Sequence, residues 1–270
     1  MSRLPVEPCF ARCLVASVPL DCSSDMLTVT CTQLVAILST ESLWQLVPKS
    51  DPELSTQAIE ARRQFLKKES DHVTYTSVYK SWLDSRGSEA WCFDHFVNAR
   101  ALRQSSEVRS QLREELDRLR LPKLPEARLV AENNASARLR MALCMGFYMN
   151  SARAVAYGQP GSYLAVRDGT LLHLDKDCAM SLLEYYPSWI LYTQLGGASL
   201  LHGSMKEVSK IKSEWIEDLV PRLKRADEEM LTGGKKRPRT PPLPVEPVVA
   251  DPAVKLASAR DRYLQRKGGA

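Results

Sequence analysis

The sequence predicts an α+β protein: a helical block, then a small β-barrel, then a polar tail. Three observations predict it. Apolar residues recur at helical spacing through residues 1–120. Short strand-like runs between Ala152 and Leu195 are separated by tight-turn pairs. From about Asp227, prolines and charges replace apolar residues. The 270 residues, 44% hydrophobic and 26% charged, leave room for one large or two modest domains with real cores.

In the helical block, Ser23 or Ser24 can cap a helix whose apolar positions Met26, Leu27, Leu34, Val35, Ile37 and Leu38 share a face. Pro48 and Pro52 end it. A weakly apolar helix over 55–68 follows. Ser70 is an N-cap, Asp71 sets negative charge at the positive end of its helix, and Tyr75, Tyr79, Trp82 and Leu83 form the apolar stripe. Gly87 suits a left-handed stop. A helix from Ser88 buries Trp91, Cys92, Phe96 and Leu102, and a last one carries Val108, Leu112, Leu116 and Leu119 up to Pro122.

Pro122, Pro125 and Asn133-Asn134 mark a linker, and a helix from Ala137 to Met149 follows it. Strands are expected at 152–156, 163–166, 171–174 and 189–195, divided by Gly158-Gln-Pro-Gly161 and Asp168-Gly169. That density of short strands points to a compact barrel, closed by a helix from Val208 to Leu219. The tail is disordered by composition, with a short basic helix expected over 253–267.

Polar residues interrupt every apolar run well short of the ~18 residues a membrane span needs, so no membrane partner is expected. The first residues lack the apolar core of a signal peptide, which predicts an intracellular protein. The seven cysteines contain no Cys-x-x-Cys pair. Cys9 and Cys13 share a helical face, but no second ligand pair follows, so reduced buried thiols are expected rather than a metal site. Net charge is +5, from 37 basic and 32 acidic residues, and Lys235, Lys236, Arg237 and Arg239 concentrate part of it. That cluster fits a nuclear import signal or a nonspecific RNA grip, against a plain solvated linker, and favours nucleus over cytoplasm.

The string Ser70-Asp-His-Val-Thr-Tyr-Thr-Ser-Val-Tyr-Lys-Ser-Trp82, with Trp91-Cys-Phe-Asp-His-Phe-Val-Asn-Ala-Arg-Ala-Leu102 after it, resembles the helicase-associated ratchet domain of DEAH-box RNA helicases. Leu4-Pro-Val-Glu-Pro-Cys9 resembles the entry to that domain. Arg140-Met-Ala-Leu-Cys-Met-Gly-Phe-Tyr-Met-Asn150 resembles the start of the family's OB-fold, and Pro187-Ser-Trp-Ile-Leu-Tyr192 with Ile211-Lys-Ser-Glu-Trp215 its end. Ser258-Ala-Arg-Asp-Arg-Tyr-Leu-Gln-Arg-Lys267 is similar to a family extension. The sequence departs from the family at three places. His95 stands for an Asn, Asp175-Lys-Asp-Cys178 for a His-Pro-Ser-Ser turn, and Ala198-Ser-Leu200 for Thr-Thr-Lys.

The resemblance implies a ratchet-type helical domain over 1–121, a linker over 122–136, an OB-fold over 137–225 and a tail over 226–270. It implies single-stranded RNA as ligand, helicase motor domains as partners, and ribonucleoprotein or activator proteins as further partners. The chain contains neither a Gly-x-x-x-x-Gly-Lys-Ser/Thr loop nor Asp-Glu-Ala-His, so no catalytic residue and no cofactor is expected here. ATP and magnesium would bind the absent motors, without which the chain is expected to be inactive. Candidate RNA contacts are His72, His95, Arg100, Arg103, Arg109, Arg153, Tyr157 and Tyr163, with the tail cluster. The arginines offer guanidinium groups to phosphates, the tyrosines rings to bases. The bland alternatives are a first-turn histidine, surface ion pairs and core packing. A degenerate helicase remnant serving as a protein scaffold is the alternative function.

Overall fold

Three helices of the first half start after polar side chains that accept an orphan amide. Asp51 accepts from Leu54 N at 2.9 Å ahead of α3 (Pro52–Arg63), whose first residue is a proline with no donor to satisfy. Ser70 accepts Val73 N at 3.1 Å to open α4 (Asp71–Asp84), and Ser88 accepts Trp91 N at 3.2 Å to open α5 (Glu89–Asp94), both as their sequence predicts. Two left-handed residues follow α4, Arg86 at φ 58° and Gly87 at 72°, where the sequence marks only the glycine. Gly87 N returns to Trp82 O at 3.0 Å.

The computed structural model describes residues 5–20, 27–48, 50–119, 134–155, 159–196, 203–217 and 219, all within the unit Met1–Arg225. Ser23, Ser24, most of the expected linker and the tail lie outside the described residues. The other helices are α1 (Pro8–Leu20), α2 (Leu27–Leu38), α6 (Ala99–Leu119) and α7 (Ala135–Phe147). None of the described helices is long and apolar enough to cross a membrane. The six described cysteines are free, and all but half-buried Cys9 are buried.

Two helical cores form. Leu14, Leu34, Leu112 and Leu143 join α1, α2, α6 and α7, and the same cluster takes in Leu191, Ile211 and Ile216 from the barrel region. Tyr79, Trp82, Val97 and Leu102 anchor a second cluster beneath α4 to α6. α1 and α7 meet closely at Gly146, where an added Cβ would stand 2.2 Å from Cys13 Sγ and 2.3 Å from the Cys9 carbonyl.

The barrel comprises β1 (Ser151–Ala154), β2 (Ser162–Ala165), β3 (Leu171–Leu174), α8 (Ala179–Leu182), β4 (Trp189–Gly196) and β5 (Gly203–Lys210). The order β1-β2-β3-β5-β4 closes on itself through β1 and β4, with β3 and β5 parallel and the other pairs antiparallel. Alternation along β4 is two-sided: Ile190 and Tyr192 fill the barrel, and Leu191 faces the helical core.

The helix expected from Val208 to Leu219 is not formed. Val208, Ser209 and Lys210 pair with Tyr192, Leu191 and Ile190, and among the described residues a single 3-10 turn, Ser213–Trp215, follows. The apolar spacing Val208, Ile211 and Ile216 is met instead by a strand end and a turn. Val208 enters the barrel core, while Ile211 and Ile216 enter the helical one.

Candidate nucleic-acid interface

The start of α4 is plugged into β5. Ser70 bridges Ser209, and the two Oγ atoms lie 2.6 Å apart. His72 follows with Nδ1 at 2.6 Å from Ser209 Oγ and Nε2 at 3.2 Å from Thr193 Oγ1, and Thr193 donates to Glu207 at 2.6 Å. One proton arrangement satisfies this row when Glu207 is ionised. Ser70 donates to Ser209, Ser209 to Nδ1, and the Nε2–H of a neutral imidazole to Thr193. Burial drives the His72 pKa down to about 3, in keeping with the neutral ring.

Asp71 is buried and serves elements far from its own helix. One oxygen accepts Ala179 N, the first amide of α8, at 2.7 Å, and the other accepts Val208 N at 2.8 Å. Glu207, the residue before Val208, sits at φ 54° inside β5. Burial pushes Asp71 up to about 6 despite those two bonds, and pushes Glu207 up to about 7 despite the Thr193 hydroxyl. Beside them Glu69 accepts Lys210 Nζ at 2.9 Å and Arg140 Nη2 at 3.1 Å, and its carbonyl accepts Lys210 N at 2.8 Å. Lys210 is the main reason the Glu69 pKa is lowered.

This junction floors a cleft of about 990 Å³ between the helical part and the barrel. Trp44 and Arg62 form one wall: the guanidinium lies 4.9 Å from the indole centroid, and Nη2 donates to Gln45 O at 2.7 Å. Trp44 is held by a bridge to Val97 and stands edge-on to Tyr75 at 6.3 Å. Opposite are the 174–178 turn and residues of β4 and β5, including Gln194, Ser204 and Lys206. Asp175 accepts the Ser204 hydroxyl at 2.7 Å, fixing that turn to β5.

The candidate residues do not converge on this cleft. His72 is part of the junction and has no exposed surface, so it offers RNA no face. Tyr163 is likewise fully buried, its hydroxyl donating to Pro187 O at 2.9 Å, which makes it core rather than a stacking platform. His95 is half-buried and stacked on Trp91 at 4.4 Å, with Nδ1 2.7 Å from Trp91 O. Arg100 is exposed on α6, Arg103 is exposed and ion-paired with Glu89, and the half-buried Arg109 guanidinium lies 6.0 Å from the Tyr79 ring centroid. Arg153 is exposed over Trp189 at 5.9 Å. Tyr157, Lys235, Lys236, Arg237 and Arg239 lie outside the described residues. The sequence reading missed Trp44, Arg62, Thr193 and Glu207; a tryptophan beside an arginine-bearing helix was the only available signal.

Two family models match the chain. One, a helicase-associated domain described as ratchet-like, covers residues 7–75, and the other, an oligonucleotide/oligosaccharide-binding fold, covers 139–223. Residues 7–75 thus match a ratchet-like helicase-associated domain, and residues 139–223 an OB-fold. Relatives of this ratchet–OB module over most of its length are DEAH-box RNA helicases. It is 29% identical over 221 residues to a Caenorhabditis elegans probable ATP-dependent RNA helicase DHX35 homolog, covering 82% of the chain and 28% of that protein. It is 29% identical over 244 residues to the Schizosaccharomyces pombe pre-mRNA-splicing factor ATP-dependent RNA helicase prp22, covering 90% of the chain and 19% of the relative. The human probable ATP-dependent RNA helicase DHX35 is 28% identical over 221 residues. The module thus spans less than a third of the length of these relatives. The matched ratchet segment reaches Tyr75, so the plug at Glu69 to His72 lies inside it and docks on the last strand of the matched barrel.

Proposed function

We propose that the ratchet–OB module guides single-stranded RNA for a DEAH-box RNA helicase, with the bases of the strand turned towards the cleft. The cleft between the two matched domains carries this reading. Its described lining holds five carboxylates (Glu41, Asp71, Asp175, Asp177, Glu207) and three cations (Arg62, Lys176, Lys206). Burial leaves Glu207 partly protonated near neutral pH, and Asp71 is taken up by two amides. The lining therefore holds no surplus of cations for phosphates, while base faces and edges find Trp44, Gln45, Gln194 and Arg62. The phosphates then face outwards, towards RecA-like motor domains that supply the ATP and magnesium chemistry. The rigid junction beneath the cleft suits a guide that such motors drive as one body. The splicing-factor name of one relative supports a nuclear setting for this work, with ribonucleoprotein or helicase-activating proteins as further partners.

Fluorescence anisotropy with labelled oligouridylate tests RNA binding, and cross-linking with 4-thiouridine locates it. Binding should be micromolar or tighter at low salt, with cross-links mapping to residues 40–47 and 174–178. No binding at low salt would remove the RNA function, and cross-links confined to other segments would remove the cleft from it.

A further inference from the structure

Outside the cleft, cations and aromatic rings alternate along the seam where the helical part meets the ends of β1, β4 and β5. The ammonium groups of Lys68 and Lys210 lie 5.6 and 5.7 Å from the Tyr185 ring centroid. The Lys210 carbonyl accepts Arg140 Nη1 at 2.9 Å, and that guanidinium lies 5.7 Å from the Trp215 ring, which Lys212 also approaches at 5.6 Å. Ile211 N donates to Trp189 O at 3.1 Å, and Trp189 carries Arg153, its cross-strand partner, at 5.9 Å. These contacts make one continuous row of five cations and three rings, and none of the eight residues lines the cleft. Glu69 engages Arg140 and Lys210. Lys68, Lys212 and Arg153 are exposed to solvent.

We propose that this seam is a second nucleic-acid contact, which holds the phosphate backbone of the strand beyond the part that lies in the cleft. The proposal rests on the RNA-guiding reading above. Its chemistry complements the cleft: walls with no surplus of cations receive bases, and the basic seam receives phosphates. Long cationic side chains resting on rings are restrained before binding, so less side-chain freedom is lost when a polyanion lies along them. A strand with one charge on every nucleotide matches a row of this kind better than an acidic peptide, whose charges have no fixed interval.

The test is the triple variant Lys68→Gln, Lys212→Gln and Arg153→Gln, none of which takes part in the Glu69–His72 plug. Anisotropy is measured with oligouridylates of about 8 and about 20 nucleotides, a range set by single-strand site sizes. The long RNA should lose roughly tenfold or more in affinity, and its log–log salt slope should fall by about 2, from three lost phosphate contacts. The short RNA should bind as it does to the parent, and the melting temperature should not move. Unchanged affinity for the long RNA would overturn the seam, and a loss seen only with polyglutamate would reassign it to an acidic protein. If the parent binds neither RNA, the guiding reading itself fails; if the parent binds both and the variant matches it, only the seam fails.

Discussion

At Asp71 a carboxylate on the first turn of one helix completes the hydrogen bonding of two other elements. Removing it by Asp71→Ala leaves the amides of Ala179 and Val208 buried without an acceptor. Each orphan amide costs about 1–3 kcal/mol, so a loss of roughly 2–5 kcal/mol is expected, read as a lower urea midpoint at unchanged slope. A loss under about 1 kcal/mol would mean that water reaches both amides. Glu207 gives a pH-dependent counterpart. Burial lifts it from 4.5 to about 7, so between those values the folded chain keeps a proton that the unfolded chain has released. Its contribution to stability therefore falls as pH rises from 4.5 to 7, by roughly 3 kcal/mol for this group. Asp71 acts in the same sense between 3.8 and about 6. His72 opposes them: with a folded pKa of about 3 against 6.5 unfolded, its contribution is lost as pH falls through that window. Glu207→Gln isolates one group. Its stability relative to the parent should rise by roughly 3 kcal/mol between pH 5 and pH 8. A difference that stays constant with pH would show that Glu207 titrates as it does in water.

At the scale of elements, the tightest constraint is the crossing of α1 and α7. Gly146→Ala puts a methyl carbon 2.2 Å from Cys13 Sγ and 2.3 Å from the Cys9 carbonyl, so the α1 backbone has to move. Overpacking of this kind costs about 1–3 kcal/mol or more. Adding Cys13→Ala should recover only part of the loss, because the carbonyl contact remains; full recovery in thermal melts would locate the conflict in the sulfur alone. Which elements were legible in the sequence follows from how locally each is determined. Ser70 and Ser88 announce α4 and α5 because a cap and its amide are three residues apart. β5 was hidden: Glu207 breaks its alternation with a left-handed residue, and Val208 and Ile211 imitate a helical face. The site was less legible than the fold for the same reason. Asp71 fits its own helix dipole so well that nothing local points to Ala179 and Val208, 108 and 137 residues away. His72 and Tyr163 looked available because a polar or aromatic residue near a cap or in a strand carries no mark of which side the rest of the molecule covers.

Across the whole molecule, two family matches do not make two independent folding units. Leu139 and Leu143 of α7, Leu191 of β4, and Ile211 and Ile216 beyond β5 all pack in the cluster that holds Leu14, Leu34 and Leu112. Cutting the chain ahead of α7 would expose that face and also strip Ser209, Val208 and Lys210 of the partners that Glu69 to His72 provide. Five large side chains returned to water at about 1.5–3 kcal/mol each lose roughly 7.5–15 kcal/mol, as much as the roughly 5–15 kcal/mol that usually separates folded from unfolded chains. A fragment of residues 134–225 should therefore keep strand signal in the far ultraviolet but lose the near-ultraviolet signature of a packed Trp189 and Trp215, and bind a hydrophobic dye. The intact chain should instead unfold in one transition, with its amides in β5 and α4 exchanging at the same rate limit. A fragment that melts cooperatively with native near-ultraviolet signal would show that the barrel stands without the ratchet helices, and that the plug between them is a hinge contact rather than a shared core.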